Sequence, residues 1–232
     1  MKKNAHYQTL EYEKVCKLIE GWQKTSPLPL RILDFGCGHG KYLRALANMG
    51  CQVAGVDTNQ NYIREAQSEG FVCHSDEAFL SETREIFDVI LLSHLIEHLT
   101  PEQLINLIPG LCSRLGARGR LIIITPVPGE RFFHDFSHVR PYLPQSIRHA
   151  FGQAGAPLSF GERKLITLTE IYFFKDPYKT RLWQSFYVGK GSLRHSLTFI
   201  LNAAFNTLWR LSGGRIGVTA SWLGVYELGT TH

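Results

Sequence analysis

The sequence predicts a doubly wound α/β fold, in which a mostly parallel sheet carries helices on both faces. Short apolar runs alternate with amphipathic segments of helical period from residue 30 to about residue 126. One of these runs, "FDVILLSH", is apolar almost throughout, as expected of a strand whose two faces are both covered. At 232 residues, with 44% hydrophobic and 19% charged residues, the chain is long enough for one well-buried domain.

The first elements follow one another at the spacing of βαβ units. Helical spacing runs from about Leu10 to Trp22 and is broken by "TSPLPL". The strands predicted next along the chain are "RILDFG", "CQVAGVD", "FVCHSD", "FDVILLSH" and "GRLIIITP". The helices predicted between them are "KYLRALANMG", "NQNYIREAQSEG" and "PEQLINLIPGLCSRL", the last with a kink near Pro109 and Gly110. Right-handed crossovers then place the ligand crevice at the carboxyl ends of the strands.

The pattern changes after Pro126. "VPGERFFHDFSHVRPYLP" is aromatic, rich in His and rich in turn residues, which indicates a long functional loop before the short helix "QSIRHAFGQAG". "KLITLTEIYFF" and "GVTASWLGVYEL" read as strands with a helix between them. We therefore expect a single domain, 1–232. It comprises a cofactor-binding core at 30–126, an active-site loop and helix at 127–160, and C-terminal strands at 161–232 with an inserted amphipathic helix at 192–211.

Charge and cysteine content narrow the class of protein. The net charge of +5 and the pI near 9.0 suit an anionic substrate or a membrane surface, but fall well short of a dedicated nucleic-acid arm, so no nucleic-acid partner is expected. Five cysteines without a CxxC pair, and a start that lacks the apolar core of a signal peptide, predict reduced thiols and a cytoplasmic protein. The sequence contains no uninterrupted run of about 18 apolar residues, so we expect no transmembrane helix. The oligomeric state stays open.

The loop "DFGCGHG" lets backbone approach a ligand where side chains would clash. Its glycines are Gly36, Gly38 and Gly40, and the main-chain N–H groups at the start of the following helix add a positive patch. The dinucleotide fingerprint would need a glycine at position 41, where this chain has Lys41. Asp34, ahead of the first glycine, suits an amino-acid ammonium better than a phosphate. The loop therefore argues against NAD or FAD.

A second carboxylate specifies the cofactor further. Asp57 ends the second strand, 21 positions after Gly36, where it can accept hydrogen bonds from both hydroxyls of a ribose. A ribose on one side and an amino-acid group on the other describe S-adenosylmethionine.

With these motifs in place, the sequence resembles the class I S-adenosylmethionine-dependent methyltransferases. "LDFGCGHGKYL", "VAGVD", "FDVILLSHLIEHL" and "GRLIIITP" are similar to their first-strand, second-strand, fourth-strand and fifth-strand motifs. The resemblance covers about residues 30 to 155 and implies a Rossmann-like, seven-stranded sheet with a reversed last hairpin. It also implies that Asp76 lies near the adenine amino group, a role for which Ser75 and Glu77 are alternatives. The cofactor-binding residues predicted in this way are Asp34, Phe35, Gly36, Cys37, Gly38, Gly40, Asp57, Thr58, Asp76 and Ser93.

Histidines and carboxylates cluster in two segments outside the glycine loop. "SHLIEHL" spaces His94, Glu97 and His98 at i, i+3 and i+4, so a helical turn would place them on one face. The loop "FFHDFSHVRPY" adds His134, Asp135 and His138. Three interpretations stay open. In the first, the residues hold the loop by hydrogen bonds; in the second, one histidine is a general base; in the third, the group binds a divalent ion.

The metal interpretation also has a family resemblance behind it. "LIEH" resembles the ExxEH segment of ubiquinone-biosynthesis O-methyltransferases and of small-RNA terminal 2′-O-methyltransferases, in which two glutamates and a histidine bind a metal. Glu97 and His98 match, and His138 suits the loop histidine that the RNA enzymes add. His94 stands in place of the first glutamate, which favours an ion softer than Mg²⁺, or none. The candidate catalytic residues are His138, His98, Glu97, His94 and Asp135, and the metal candidates are Glu97, His98 and His138.

A His-rich site points to methylation of oxygen, because an alcohol must lose a proton that a base or metal can take. "DFSHVRPYLPQSIRHAFGQAG" resembles a segment of bacterial methyltransferases found with surface-glycan or natural-product genes, and Arg140 there could meet an anionic acceptor or form a structural salt bridge. We expect a saccharide, a lipid-linked glycan or a small metabolite as acceptor. The alternatives are an RNA terminal 2′-O-methyltransferase and a non-catalytic S-adenosylmethionine-binding protein.

The helix predicted at 192–211 has a wide apolar arc flanked by basic residues. It either packs over the sheet or in a dimer interface, or lies in the plane of a membrane surface. The second alternative predicts a peripheral location at the inner membrane face.

Overall fold

The computed structural model describes residues 6–152, 165–180 and 193–229. The chain forms two compact units. The larger comprises Glu13–Tyr172 and Trp222–His232, and the smaller comprises Met1–Tyr12 and Phe173–Ser221. The expectation of a single domain over 1–232 stays a prediction.

Seven strands form one sheet in the order β3-β2-β1-β4-β5-β7-β6. This confirms the predicted doubly wound, Rossmann-like α/β fold. The strands are β1 (Arg31–Phe35), β2 (Gln52–Val56), β3 (Val72–His74), β4 (Phe87–Ser93), β5 (Leu115–Pro126), β6 (Ile166–Asp176) and β7 (Val218–Leu228). Pairing is parallel between β1 and β2, β2 and β3, β1 and β4, and β4 and β5.

The helices fall close to the predicted positions. They are α1 (His6–Thr25), α2 (Lys41–Asn48), α3 (Gln60–Ser68), α4 (Asp76–Glu82), α5 (Pro101–Cys112), α6 (Glu130–Phe133), α7 (Pro144–Phe151) and α8 (Leu193–Leu211), with a 3₁₀ turn at Ile96–His98. Two short helices, α4 and α6, were not predicted. Thr100 and Gln103 form a capping box that starts α5, and α5 includes Pro109 and continues to Cys112.

The core lies against the central strands. In β4 the residues from Val89 to Leu92 are all buried, because helices cover both faces of the sheet there. Aromatic side chains close the core next to β7, where the fully buried Trp222 donates its indole N–H to the carbonyl of Tyr142 at 2.9 Å. That bond holds the chain just before α7 against the sheet.

The point where strand order reverses lies between β1 and β4. Asp34 of β1 is level with Gly55 of β2 on one side and with Leu91 of β4 on the other. The carboxyl ends of β1, β2 and β4 therefore meet at one edge, where an open α/β sheet forms its ligand crevice.

Candidate active site

A cavity of about 370 Å³ opens at the carboxyl ends of β1 and β2. This volume is within the range of small-molecule sites. Phe35, Gly36, Asp57, Thr58 and Asp76 line the cavity, so the structure brings together five of the ten predicted cofactor residues there. The remaining lining residues are Val56, Leu80, Leu95, Leu99, Gln103, Asn106 and Leu107.

The glycine loop turns sharply between β1 and α2. Gly36, Gly38 and Gly40 all have positive φ, at 88°, 51° and 69°, a conformation that other residues adopt only at a cost. The N–H groups of Gly36 and Cys37 both donate to the carbonyl of Val56, at 2.8 and 2.9 Å. These two hydrogen bonds therefore fix the loop to the end of β2 without the help of a ligand.

Asp57 is held in a defined orientation by main-chain donors. Its Oδ2 accepts the N–H of Gly38 at 2.8 Å, and its Oδ1 accepts the N–H of Asn59 at 2.8 Å. A carboxylate has about four acceptor positions, so each oxygen keeps one for a further donor. Because Asp57 also lines the cavity, it suits the paired hydroxyls of a ribose.

Asp34 is buried to 2% exposure at the end of β1, and neither of its carboxylate oxygens has a hydrogen-bond partner among the described residues. Burial raises the pKa of this carboxyl to about 7, an effect that nearby Lys41 partly offsets. A buried carboxylate without donors is costly unless a cation or donor meets it. The ammonium of an amino-acid group would satisfy it, so the residue fits the methionine end of S-adenosylmethionine.

The side chain of Cys37 is buried and packs in the protein interior. Its Sγ lies 3.7 Å from that of Cys73 in a small buried cluster with Leu43, and both are free thiols. The hydrogen bond to Cys73 and burial raise the pKa of the Cys37 thiol above its ordinary value, which makes it a poor nucleophile. Its contribution to a cofactor site would come from its backbone.

The structure distinguishes among the three residues considered for the adenine. The Ser75 hydroxyl accepts the N–H of Ala78 at 3.2 Å and so caps α4. Glu77 is exposed on α4, whereas Asp76 lines the cavity. Of the three candidates, Asp76 is therefore the one whose side chain borders the ligand space. Ser93, at the end of β4, pairs with Ile124 and does not line the cavity.

Glu97 lies at the centre of the second cluster. Its side chain is fully buried in the 3₁₀ turn after β4, and Thr125 of β5 donates its hydroxyl to Oε2 at 3.0 Å. The ring Nδ1 of His94 lies 3.2 Å from Oε1. The predicted helical turn carrying all three residues is not what the structure has, because the 3₁₀ turn starts only at Ile96. His94 lies ahead of it with a positive φ of 54°, uncommon outside glycine, and its ring meets Glu97 from there.

Two hydrogen bonds join the loop after β5 to this turn. The main-chain N–H groups of Val139 and Arg140 both donate to the carbonyl of Glu97, at 2.8 and 3.3 Å. They bring His138 to His98, with the two ring centroids 4.8 Å apart. One ligand atom from each of Glu97, His98 and His138 lies within 4.8 Å of the other two, which is the set predicted from the sequence.

The tautomers of both histidines follow from their partners. Nδ1 of His98 lies 3.1 Å from the carbonyl oxygen of Ser137, and Nδ1 of His138 lies 2.8 Å from that of Phe132. A carbonyl only accepts, so each Nδ1 carries the proton when the ring is neutral. Each Nε2 is then left with a lone pair, which can take a proton or bind a metal.

Asp135 supports the loop. Its Oδ1 accepts the N–H of Ser137 at 2.9 Å and the Ser137 hydroxyl at 2.5 Å, and these bonds lower the pKa of the carboxyl. Its Oδ2 lies 3.9 Å from Nε2 of His138. The exposed His134 does not belong to the group of potential ligands formed by Glu97, His98 and His138.

A family model for the methyltransferase domain matches residues 5–158, about two thirds of the chain. The chain belongs to the class I S-adenosylmethionine-dependent methyltransferase family. S-adenosylmethionine is the cofactor that this membership implies, and Asp34, Asp57 and the cavity fit it. The fold is shared with a S-adenosylmethionine-dependent methyltransferase from Archaeoglobus fulgidus, at a TM-score of 0.56 and 20% identity over 95% of this chain and 99% of that one.

Curated relatives match shorter parts of this methyltransferase chain. A ubiquinone biosynthesis O-methyltransferase of Bradyrhizobium diazoefficiens is 35% identical over 80 residues, 30% of each chain. The mitochondrial ubiquinone biosynthesis O-methyltransferase of Homo sapiens is 31% identical over 126 residues, 49% of this chain and 33% of the relative. The chain thus spans about a third of the length of these two relatives.

The cavity wall contributed by α5 was missed at the sequence level. Gln103, Asn106 and Leu107 line the methyltransferase cavity, yet they lie in a segment that we predicted only as a helix. The exposed polar residues Gln103 and Asn106, three positions apart, share one face of α5. That spacing was a usable signal, but nothing in the sequence showed which face meets the crevice.

Proposed function

We propose that this chain transfers the methyl group of S-adenosylmethionine to a hydroxyl oxygen. The acceptor would be a small metabolite, a saccharide or a lipid-linked glycan. The observation that carries the proposal is the cluster of Glu97, His98 and His138. It adjoins the cofactor cavity, because Leu95 and Leu99, which flank the turn bearing Glu97 and His98, both line that cavity.

The cluster supplies what an alcohol acceptor needs. Bound S-adenosylmethionine supplies a methyl group on a positively charged sulfur, so the protein must orient a hydroxyl and accept its proton. Nε2 of His138 and Nε2 of His98 are the candidate proton acceptors, because backbone carbonyls fix both Nδ1 protons. Phe132 packs against His138, with ring centroids 4.7 Å apart, and restricts the orientation of that ring.

Methylation of oxygen is also supported by the relatives. Those reported above are named ubiquinone biosynthesis O-methyltransferases. Their matched regions are limited, so their acceptor does not transfer to this chain, but an oxygen nucleophile agrees with a site built from histidines and a carboxylate.

The same three residues could instead hold a divalent ion. Glu97, His98 and His138 would provide one carboxylate oxygen and two imidazole nitrogens, and carbonyl partners behind both rings are typical of metal-binding histidines. This donor set favours Mn²⁺, Co²⁺ or Zn²⁺ over Mg²⁺. The ion would lower the pKa of a bound hydroxyl. His94 would act by orienting Glu97, to which its ring is hydrogen-bonded.

One experiment tests the proposal and separates its two versions. The full chain is incubated with S-adenosylmethionine and, in parallel, with phenols, free sugars, lipid-linked sugars and a short RNA, while S-adenosylhomocysteine formation is followed. The proposal predicts turnover with an alcohol or phenol and a product carrying an O-methyl group by mass spectrometry. Methylation of nitrogen or carbon would contradict it.

Each active pair is then repeated in excess EDTA and after re-addition of Mg²⁺, Mn²⁺, Co²⁺ or Zn²⁺. Unchanged turnover in EDTA assigns the proton to a histidine and rules out the metal version. Loss in EDTA that is restored by one of the softer ions, and less well by Mg²⁺, supports the metal version.

A further inference from the structure

The net positive charge of this protein comes from one segment of the sequence. Residues 177–226 contain six Lys or Arg and neither Asp nor Glu. The remaining residues carry 19 Lys or Arg against 20 Asp or Glu, so the whole net charge of +5 originates in this one segment. Most of the segment belongs to the smaller unit.

The described charges of the smaller unit reinforce this bias. Within residues 6–12, 173–180 and 193–221, the two acidic side chains, Glu11 and Asp176, are buried at 1% and 4% exposure. Lys179, Arg210 and Arg215 are exposed. Solvent at this unit therefore meets positive charge without a compensating exposed carboxylate from the same described residues.

An apolar stripe runs along α8 in the same unit. Its members recur every three or four residues and so share one face of the helix. They are Leu193, Leu197, Ile200, Ala204, Leu208 and Leu211, all exposed to solvent. Exposure reaches 88% at Leu193, 62% at Ile200 and 82% at Leu211, values that a core-facing helix would not show.

The other face of α8 is anchored within the unit. The Trp209 indole donates to the carbonyl of Lys175 at 2.7 Å, and the amide oxygen of Asn202 accepts the N–H of Thr180 at 2.7 Å. The ring of Phe205 packs edge-on against Tyr178, with centroids 5.9 Å apart. These contacts fix the rotation of α8 about its axis, and the apolar stripe therefore lies on the face that is exposed to solvent.

We infer that the stripe of α8 docks on an anionic lipid surface, with the helix lying in the plane of the membrane. Apolar side chains enter the acyl boundary while flanking cations contact lipid phosphates. At 19 residues, α8 offers a stripe about 28 Å long. Among the described residues no helix is long and apolar enough to cross a bilayer.

Charge decides between a lipid surface and a second copy of this chain. Two copies meeting through α8 would bring together two surfaces of the same sign, which costs energy unless carboxylates intervene. An anionic bilayer instead compensates the exposed Arg210 and Arg215. The docking requires no particular methyl acceptor and so stands apart from the proposed reaction.

Vesicle flotation of the full chain tests the inference. One vesicle set is phosphatidylcholine alone, and the other contains roughly one third phosphatidylglycerol. The wild-type chain should float with the anionic vesicles at low salt, tenfold or more above the neutral set, and lose most of that binding at about 1 M NaCl. Absence of flotation with anionic vesicles would overturn the inference.

Matched variants locate the binding surface. Ile200→Glu should reduce binding to anionic vesicles about tenfold or more. Leu28→Glu introduces the same charge at a leucine of the larger unit that is also well exposed, at 71%, and should leave binding unchanged. Arg210→Gln combined with Arg215→Gln should weaken binding about fivefold for each charge removed. Equal binding by all variants would overturn the assignment to α8.

Two controls keep the outcome interpretable. Thermal unfolding of each variant shows whether the fold is retained, and Leu197→Gln provides a milder change on the same stripe. Light scattering measures the mass of wild type and Ile200→Glu. A wild-type dimer that Ile200→Glu converts to a monomer, without vesicle binding, would show that a second copy covers the stripe and would overturn the inference.

Discussion

The main-chain N–H of Gly38 donates to Oδ2 of Asp57 over 2.8 Å, which ties the loop after β1 to the acid that ends β2. The glycine at 38 allows the positive φ of 51° with which the loop makes this turn. The two elements that would hold the ribose and the amino-acid group of the cofactor are thus connected by a direct hydrogen bond. We therefore expect cofactor recognition to depend on their joint geometry.

Cofactor affinity should depend on the ionisation of Asp34. Burial raises the pKa of this carboxyl to about 7 in the free protein, whereas a cofactor ammonium favours the charged form. Below pH 7 binding must first remove a proton, so affinity should fall up to tenfold for each pH unit. Calorimetry with S-adenosylhomocysteine between about pH 5.5 and 8 measures this. Asp34→Asn should bind more weakly at pH 8 with a flat profile, and a flat wild-type profile would contradict the assignment.

The same residue should make stability depend on pH in the absence of cofactor. The carboxyl of Asp34 keeps its proton up to about pH 7 in the folded chain, but loses it near the ordinary value of 3.8 when unfolded. The contribution of Asp34 to folding stability is therefore most favourable at low pH and is lost as pH rises toward 7. The free energy of unfolding of Asp34→Asn, measured in urea relative to that of wild type, should therefore rise by about 2 to 3 kcal/mol from about pH 5 to pH 8. A difference that does not change with pH would show that Asp34 is not buried as a neutral acid.

Replacing His138 should abolish turnover and spare the cofactor. The Nε2 of this ring presents the lone pair that takes a proton or binds a metal, while Nδ1 is occupied by the carbonyl of Phe132. His138→Gln should lower kcat by roughly 10² to 10⁴ and change the affinity for S-adenosylhomocysteine less than about threefold. His149→Gln on α7, outside the cluster, is the matched control and should keep full activity. Parallel loss of cofactor binding would assign His138 a structural role.

Gly55 should be required for packing behind the glycine loop. A Cβ there would lie 3.0 Å from Sγ of Cys37 and 3.1 Å from Cδ1 of Leu43, closer than ordinary contacts. Gly55→Ala should therefore destabilise the fold by about 1 to 3 kcal/mol in urea unfolding. Gly21→Ala, in α1 where nothing lies within 4 Å of the new Cβ, should instead stabilise by about 0.5 to 1 kcal/mol. Equal effects of the two substitutions would contradict this account of β2.

The cofactor half of the site was predictable because its constraints are local. Asp34, the three glycines and Asp57 lie at the ends of adjacent strands, and periodicity alone identified those strands. A parallel sheet then brings the ends together without further information. Glu97 and His98 were singled out by their spacing with His94 and by the resemblance of "LIEH" to a metal-binding segment, and they lie just after β4.

The rest of the site and the exposure of α8 depend on tertiary contacts, which sequence spacing does not predict. The approach of His138 to His98 rests on hydrogen bonds from Val139 and Arg140 to the carbonyl of Glu97, some forty residues away in sequence. The histidine tautomers are fixed by the main-chain carbonyls of Ser137 and Phe132, and the residue types at these positions do not predict such contacts. Likewise, the exposure of the α8 stripe follows from how Trp209 anchors the opposite face.

Binding calorimetry with S-adenosylmethionine and with NAD, on wild type and Asp57→Ala, tests the cofactor assignment most directly. The geometry predicts one S-adenosylmethionine per chain with a dissociation constant on the order of micromolar. It predicts binding at least about tenfold weaker for Asp57→Ala, because both ribose hydroxyls lose their acceptor, and no measurable heat with NAD. Binding of NAD as tight as that of S-adenosylmethionine, or full affinity in Asp57→Ala, would contradict it.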